Sequence, residues 1–281
     1  MQNTVHFVLQ AKGGIGKSFV STLLAQHILN ETGAVRCFDT DQENTTFSHY
    51  EALAVRHVRV TNDSRLIDPK KFDALMETLL TEQGNSVIDT GANTFSNLLA
   101  YMIENDVFSM LRAADKAPYI HTIVGGGDTL ADTANGFYAI AQKVAGVPIV
   151  LWCNEYFGPL RTAEGKSFVE TRAYTQSVSR LAGMVLLFKR NAATFGEDIR
   201  KLNTRRHTIA EALASSDYTI MEKQRLKMFS RDVFGQLRRC SGEGGQSLAR
   251  PNHFRPQDWA TEGQLRRRQE WPVTLSCGCR R

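Results

Sequence analysis

Lys12-Gly13-Gly14-Ile15-Gly16-Lys17-Ser18 follows directly on an apolar, strand-like run at residues 5–10. It leads into residues 18–31, where Phe19, Leu23, Leu24, His27 and Ile28 recur at helical spacing. Strand, glycine-rich loop and helix in that order form a phosphate cradle. The glycines let backbone N–H groups turn inward around an anion, and the helix N-terminus adds the positive end of its dipole. Lys17 can reach β- and γ-phosphates, and the Ser18 hydroxyl can ligate Mg²⁺. The stretch points to a nucleoside triphosphate.

Working outward, strands are expected at 35–39, 57–60, 86–89, 119–124, 148–153 and 184–188. Helices are expected at 69–81, 95–105, 129–143 with Asp128 as its cap, 163–181, 208–214 and 217–237. Alternation of this kind predicts an α/β P-loop fold, a mostly parallel twisted sheet with helices on both faces. Two strand ends carry acids: Asp39-Thr40-Asp41 on one and Asp89 on another. Carboxylates at the carboxyl ends of strands beside such a loop face the metal and the attacking water.

The chain has 281 residues, 42% of them hydrophobic and 22% charged, which suits a globular α/β protein and excludes coiled coil or collagen. No apolar run approaches the ~20 residues of a membrane span. No basic segment precedes an apolar stretch at the N-terminus, so a cytoplasmic address is expected. The net charge of +5 is local: residues 236–281 hold nine Arg and four acids, and the preceding residues balance. A polyanion-binding role cannot be read from the whole-chain charge.

Two domains are expected, a P-loop domain over 1–237 and a basic, low-order tail over 238–281 that buries too little apolar surface to fold. The tail's Arg-only basic usage also fits a frame-shifted or read-through extension. The five cysteines form neither a disulfide framework nor paired CxxC motifs, and Cys277-Gly278-Cys279 stands alone. The seven histidines show no metal-binding spacing and read as core or surface residues.

Ala11 stands where the ordinary Walker A pattern has its first glycine, and Lys12 lies five residues ahead of Lys17. In this form, KGGxGK[ST], the loop resembles the deviant Walker A box of the ParA/MinD superfamily. Together with CFDTDQENTTFSHYEAL, IDTGA, IHTIVGGG, WCNEYFGP, EGKSF and TIMEKQRLK, it resembles the TraL-type ATPases of conjugative plasmid transfer regions over residues 4–237.

The resemblance implies ATP and Mg²⁺ as cofactors and slow hydrolysis. It also implies an ATP-dependent homodimer in which Lys12 reaches the other subunit's phosphates. Lys12, Lys17 and Asp41 would then be catalytic, with Asp41 orienting or activating the water. Gly13, Gly14, Ile15, Gly16, Lys17, Ser18 and Phe19 would surround the nucleotide, and Asn154 would read adenine. Ser18, Asp39 and Asp89 would form the metal site. Implied partners are relaxosome or type IV secretion components, with a location in the cytoplasm, at the inner face of the membrane or at the cell pole.

Other readings are a partition ATPase or a nucleotide-gated scaffold with little hydrolysis. Partition ATPases usually carry D-x-D-P-Q and D-T-P-P, whereas this chain has D-T-D-Q-E and D-T-G-A.

Two weaker signals concern partners. The last helix places Ile220, Leu226, Phe229, Val233, Phe234 and Leu237 on one stripe with basic residues mostly elsewhere. Such a helix docks on the sheet with its basic face in water, or lies peripherally on an anionic membrane. Lys189, Arg190, Arg200, Lys201, Arg205 and Arg206 form a basic concentration that reads as a solvated face or as a surface for non-specific DNA.

Overall fold

The computed structural model describes residues 2–240. Apolar runs without polar alternation give strands buried on both faces, as parallel sheets require. They are β1 (Thr4–Val8), β2 (Arg36–Asp39), β4 (Ser86–Asp89), β5 (Ala117–Gly125), β6 (Ile149–Asn154) and β7 (Leu181–Leu187); the two-residue edge strand β3 (Arg56–His57) is polar and exposed. All pair in parallel, in the order β3-β2-β4-β1-β5-β6-β7. The helices are α1 (Lys17–Thr32), α2 (Phe72–Thr81), α3 (Ala92–Glu104), α4 (Val107–Ala113), α5 (Leu130–Lys143), α6 (Arg172–Thr175), α7 (Glu197–Arg205), α8 (Ile209–Ala214) and α9 (Ile220–Cys240). The P-loop therefore leaves the central strand, between the carboxyl ends of β4 and β5.

α1 does not show the one-sided stripe expected of it. Val20, Leu23, Leu24 and Ile28 are buried, and so are Ser21, Thr22 and Gln26 on other faces. α8 and α9 cover the outer side: Phe19 stacks on Phe229 of α9, and Gln26 Oε1 accepts a hydrogen bond from the Ile209 amide of α8 at 2.7 Å. α9 also closes the β7 edge, where Gln236 takes the Leu186 amide and donates back to its carbonyl. A side-chain amide thus stands in for the next strand at Leu186 and blocks pairing there.

The last helix accordingly follows the docked reading: Leu226, Phe229, Val233, Phe234 and Leu237 are buried, and only Ile220 leaves the expected stripe, at 85% exposure. The basic concentration is largely paired with acids, through Arg190–Asp232, Arg200–Glu197, Lys201–Glu222 and Arg205–Asp217. It offers less free charge to DNA than the residue count suggests.

Other local expectations fail as well. The helix over 163–181 is replaced by short turns and the four-residue α6, because Gly165 adopts φ +80° in a hairpin closed by the Thr162 amide on the Lys166 carbonyl. Ser167 and Thr171 then cap successive turns in place of continuing a helix. Asp128 does not cap α5; it lies in a 3₁₀ turn, Gly127–Thr129, and the Thr129 hydroxyl bonds the Gly126 carbonyl. Neither α4 nor α7 was expected. The expected tail lies outside the described residues except for Arg238, Arg239 and Cys240, which extend α9.

On the sheet face under α1 and α9 runs a directional hydrogen-bond chain. Trp152 Nε1 can only donate, so His121 Nδ1 accepts (3.0 Å) and His121 Nε2 carries the proton toward His6 Nδ1 (2.9 Å). His6 Nε2 then donates to Thr4 Oγ1 (2.8 Å), which donates to Asn85 Oδ1 (2.8 Å). Beside the chain is a cavity of about 100 Å³, whose titratable lining is His6, His27, His121, Tyr119 and Cys240.

Charging either imidazole of the chain would set two N–H donors against each other. Burial lowers the His6 pKa from 6.5 to about 3 and lowers that of His121 as well, with His27 adding to both. The unfolded chain therefore binds more protons below pH 6.5, and stability falls as the pH drops from there toward 3. Each histidine contributes up to about 1.4 kcal/mol per pH unit. Urea midpoints of the wild type relative to a His6→Gln variant, which shares the opposing titration of the buried Asp89, are expected to be flat from pH 8 to 7 and to decline between pH 6.5 and 5. A flat profile through that window would contradict the neutral chain.

Candidate nucleotide-binding site

The loop after β1 begins from a fixed base. Gln10 is fully buried; its amide donates to the Ile123 carbonyl (2.7 Å), and its oxygen accepts from the Ala11 amide (2.9 Å). The chain then turns through Gly14 (φ +69°) and Gly16 (φ +100°), conformations open to glycine and strained for other residues. Ile15 plugs into the core, and Gly16 caps α1. The result is an anion cradle of backbone N–H groups at a helix N-terminus.

The two lysines of the loop differ in environment. Lys17 is 7% exposed and donates to the Lys12 carbonyl at 2.9 Å. Burial lowers its pKa, opposed by the charges of Asp89 and Asp41. The Lys12 side chain is 43% exposed and points out of its own loop, to Asp132 on α5 at 2.7 Å. Ser18 opens α1, and Phe19 is committed to Phe229.

Asp89 is completely buried at the end of β4. Its Oδ1 accepts from the Ser21 hydroxyl at 2.8 Å, and among the described residues no hydrogen-bond donor satisfies its buried Oδ2. Burial pushes its pKa up to about 7, with the Asp39 charge adding and the Ser18 and Ser21 hydroxyls and Lys17 opposing. A buried carboxylate oxygen beside a serine hydroxyl is a donor set for a hard divalent cation. The residues present therefore fit Mg²⁺.

Asp39 differs. Its Oδ1 accepts from the Asp41 amide (3.0 Å), and its Oδ2 accepts from both the amide and the hydroxyl of Ser48 (3.0 Å each). Burial raises its pKa against these donors. Asp41 Oδ1 accepts from the Glu43 and Asn44 amides. It lies over Gly91, where a Cβ would stand 2.7 Å from it. The glycine of the D-T-G-A segment thus makes room for Asp41.

Asn154 ends β6 against the cradle: its Oδ1 accepts from the Tyr156 amide, and its Nδ2 donates to the Ile15 carbonyl at 3.4 Å. The Gly125–127 run brings that strand end into place. A Cβ on Gly126 would meet the Gly158 carbonyl at 1.9 Å, and the Gly126 amide bonds the Asn154 carbonyl.

The expected site residues therefore lie at or just beyond the carboxyl ends of β1, β2, β4 and β6, except that the Phe19 side chain packs on Phe229 of α9 instead. Sequence reasoning missed Gln10, Ser21, Ser48 and Asp132. Of these only Gln10, a polar residue closing an apolar strand before the cradle, carries a signal in the sequence.

No family model matches the chain. Among solved structures, the MinC:MinD cell division protein complex of Aquifex aeolicus is 10% identical, over 83% of this chain and 96% of that one, with a TM-score of 0.45. Two Escherichia coli proteins, each named Protein TraL, are 38% identical to it over 234 residues, 83% of this chain and 96% of each of theirs. At that identity over nearly their whole length, this chain belongs to the TraL family.

Proposed function

We propose that this protein is an Mg²⁺-dependent ATP-binding switch that dimerises on ATP, hydrolyses it slowly and acts in conjugative DNA transfer by recruiting or positioning the transfer machinery. The observation that carries the reading is the division of labour between two lysines of one loop: Lys17 buried inside the cradle, Lys12 aimed away from it. A cation that serves its own phosphates has no reason to point outward. One that serves a second copy does, and a cation supplied in trans both joins subunits and stabilises transition-state charge.

In this reading Lys17 and the backbone N–H groups hold the phosphates. Ser18 and Asp89 would hold Mg²⁺, which would supply neutralisation of phosphate charge. Asp41 orients the attacking water, and Asn154 faces the base. Gly91, a departure from the partition pattern, leaves room for Asp41. The role in transfer rests on the name of the relatives, and the relaxosome or type IV secretion apparatus is the proposed partner class. Among the described residues no helix is long and apolar enough to cross a membrane.

Phosphate release assayed with Mg²⁺ and with EDTA tests the reading. Release that is slow, Mg²⁺-dependent and lost in both Lys12→Ala and Lys17→Ala is expected; equal release with EDTA would overturn it. The Lys12–Asp132 pair adds a second expectation. Both side chains are exposed (43% and 61%), so the pair is worth at most about 1 kcal/mol and yields easily. Asp132→Ala should raise dimer formation at sub-saturating ATP by up to about fivefold. A fall in dimer population, measured by analytical ultracentrifugation, would place Asp132 in the interface itself.

A further inference from the structure

We infer that Asp39 and Ser48 form a latch that positions Asp41, so that Ser48 is a positioning residue for hydrolysis and Asp39 is a clamp for the loop instead of a metal ligand. The inference rests on the reading of Asp41 as the water-orienting group. The two buried acids beside the cradle have opposite hydrogen-bond states. Asp89 keeps one oxygen without a donor, while Asp39 is fully buried with both oxygens engaged by three donors.

A carboxylate has about four acceptor sites, and three of those on Asp39 are filled by the chain itself. All three donors come from residues 41 and 48, the two ends of the loop that carries Asp41.

Ser48 is well placed to be the fixed end. It sits in the 3₁₀ turn Phe47–His49, between Phe47 (0% exposed) and Tyr50 (2%), which anchor in the core. The other end is held from the sheet: the Thr40 amide and hydroxyl both bond the Asp89 carbonyl, and the Thr94 hydroxyl bonds the Thr40 carbonyl. Asp41 thus hangs between two anchored points, and Asp39 ties them together. Charge-assisted bonds from a buried carboxylate to backbone N–H groups are stronger than neutral ones, which suits a clamp.

The test compares Ser48→Ala, Ser48→Thr and Asp39→Asn in the full chain. In nucleotide-free protein, hydrogen exchange at the amides of residues 41 and 48 should quicken about tenfold in Ser48→Ala and in Asp39→Asn, and return to wild type in Ser48→Thr. ATP turnover should fall about tenfold in the first two. The affinity for a fluorescent ATP analogue and the Mg²⁺ concentration for half-maximal turnover should stay within twofold. Ser48→Thr should restore turnover, since it keeps the hydroxyl.

Unchanged exchange in Ser48→Ala overturns the latch. So does a tenfold higher Mg²⁺ requirement in Asp39→Asn, which would make Asp39 a metal ligand. A lower melting temperature with turnover per folded molecule intact would make Ser48 merely structural and overturn it too. A wild type that turns over no ATP sinks the proposed function instead, and the exchange arm still decides the latch.

Discussion

Lys17→Ala should lose ATP binding by about 100-fold or more while the protein stays folded. Lys17 Nζ is enclosed by the loop and donates to the Lys12 carbonyl. In the same position it would meet phosphate oxygens, and charge-assisted bonds of that kind, partly withdrawn from water, are worth about 3 kcal/mol. That figure corresponds to about two decades in affinity. The stability side has the opposite sign. Burial disfavours the ammonium, so removing it relieves a desolvation cost and sacrifices one hydrogen bond. The melting temperature without nucleotide should therefore hold or rise slightly. Calorimetric titration with ATP and Mg²⁺ checks the prediction, and an affinity within threefold of wild type would contradict it.

Asp41→Ala should bind ATP normally and turn it over about 100-fold more slowly, with the ATP-bound dimer outliving that of the wild type. A group that orients or deprotonates the attacking water contributes ~10²–10⁴-fold. In this structure the Asp41 carboxylate caps its own loop, accepting from the Glu43 and Asn44 amides. An alanine therefore removes two things together, the turn and the charge. Asp41→Asn separates them: its side-chain oxygen can still accept from those amides, but the carboxylate is gone. Turnover should be as slow in Asp41→Asn as in Asp41→Ala. Recovery in the asparagine variant would assign the effect to loop order, and unchanged turnover in both would favour the scaffold reading. Single-turnover phosphate release with parallel nucleotide binding distinguishes these outcomes.

Legibility in the sequence followed the physics of each segment. The P-loop could be read because its glycines, lysine and serine are all local requirements of one turn, and β1 and α1 flank it as expected. Strand ends bearing Asp39 and Asp89 could be read because buried parallel strands are short apolar runs, and an acid at their carboxyl end stands out. α7 could not be read. Its residues are polar apart from Ile199 and Leu202, and it is held by ion pairs, Asp198–Arg225 and Lys201–Glu222, whose partners lie on α9.

The segment after Asn154 misled for a related reason. Its spacing suits a helix, but Gly165 and the caps at Ser167 and Thr171 divide it into turns. The site shows the same divide. Lys12, Lys17, Ser18 and Asp89 announce themselves by motif, whereas Ser48 and Asp132 matter through contacts nine residues from Asp39 and across the fold from Lys12. Residue type alone carries nothing about such contacts.

Molar mass by light scattering on a size-exclusion column, in ATP with Mg²⁺ and in ADP with Mg²⁺, bears most directly on the outward role of Lys12. The wild type should double its mass only with ATP, and Lys12→Ala should remain at the ADP mass in both nucleotides. Equal masses for the wild type in ATP and ADP, or a Lys12→Ala variant that doubles as readily as wild type, would contradict a cation shared between two copies.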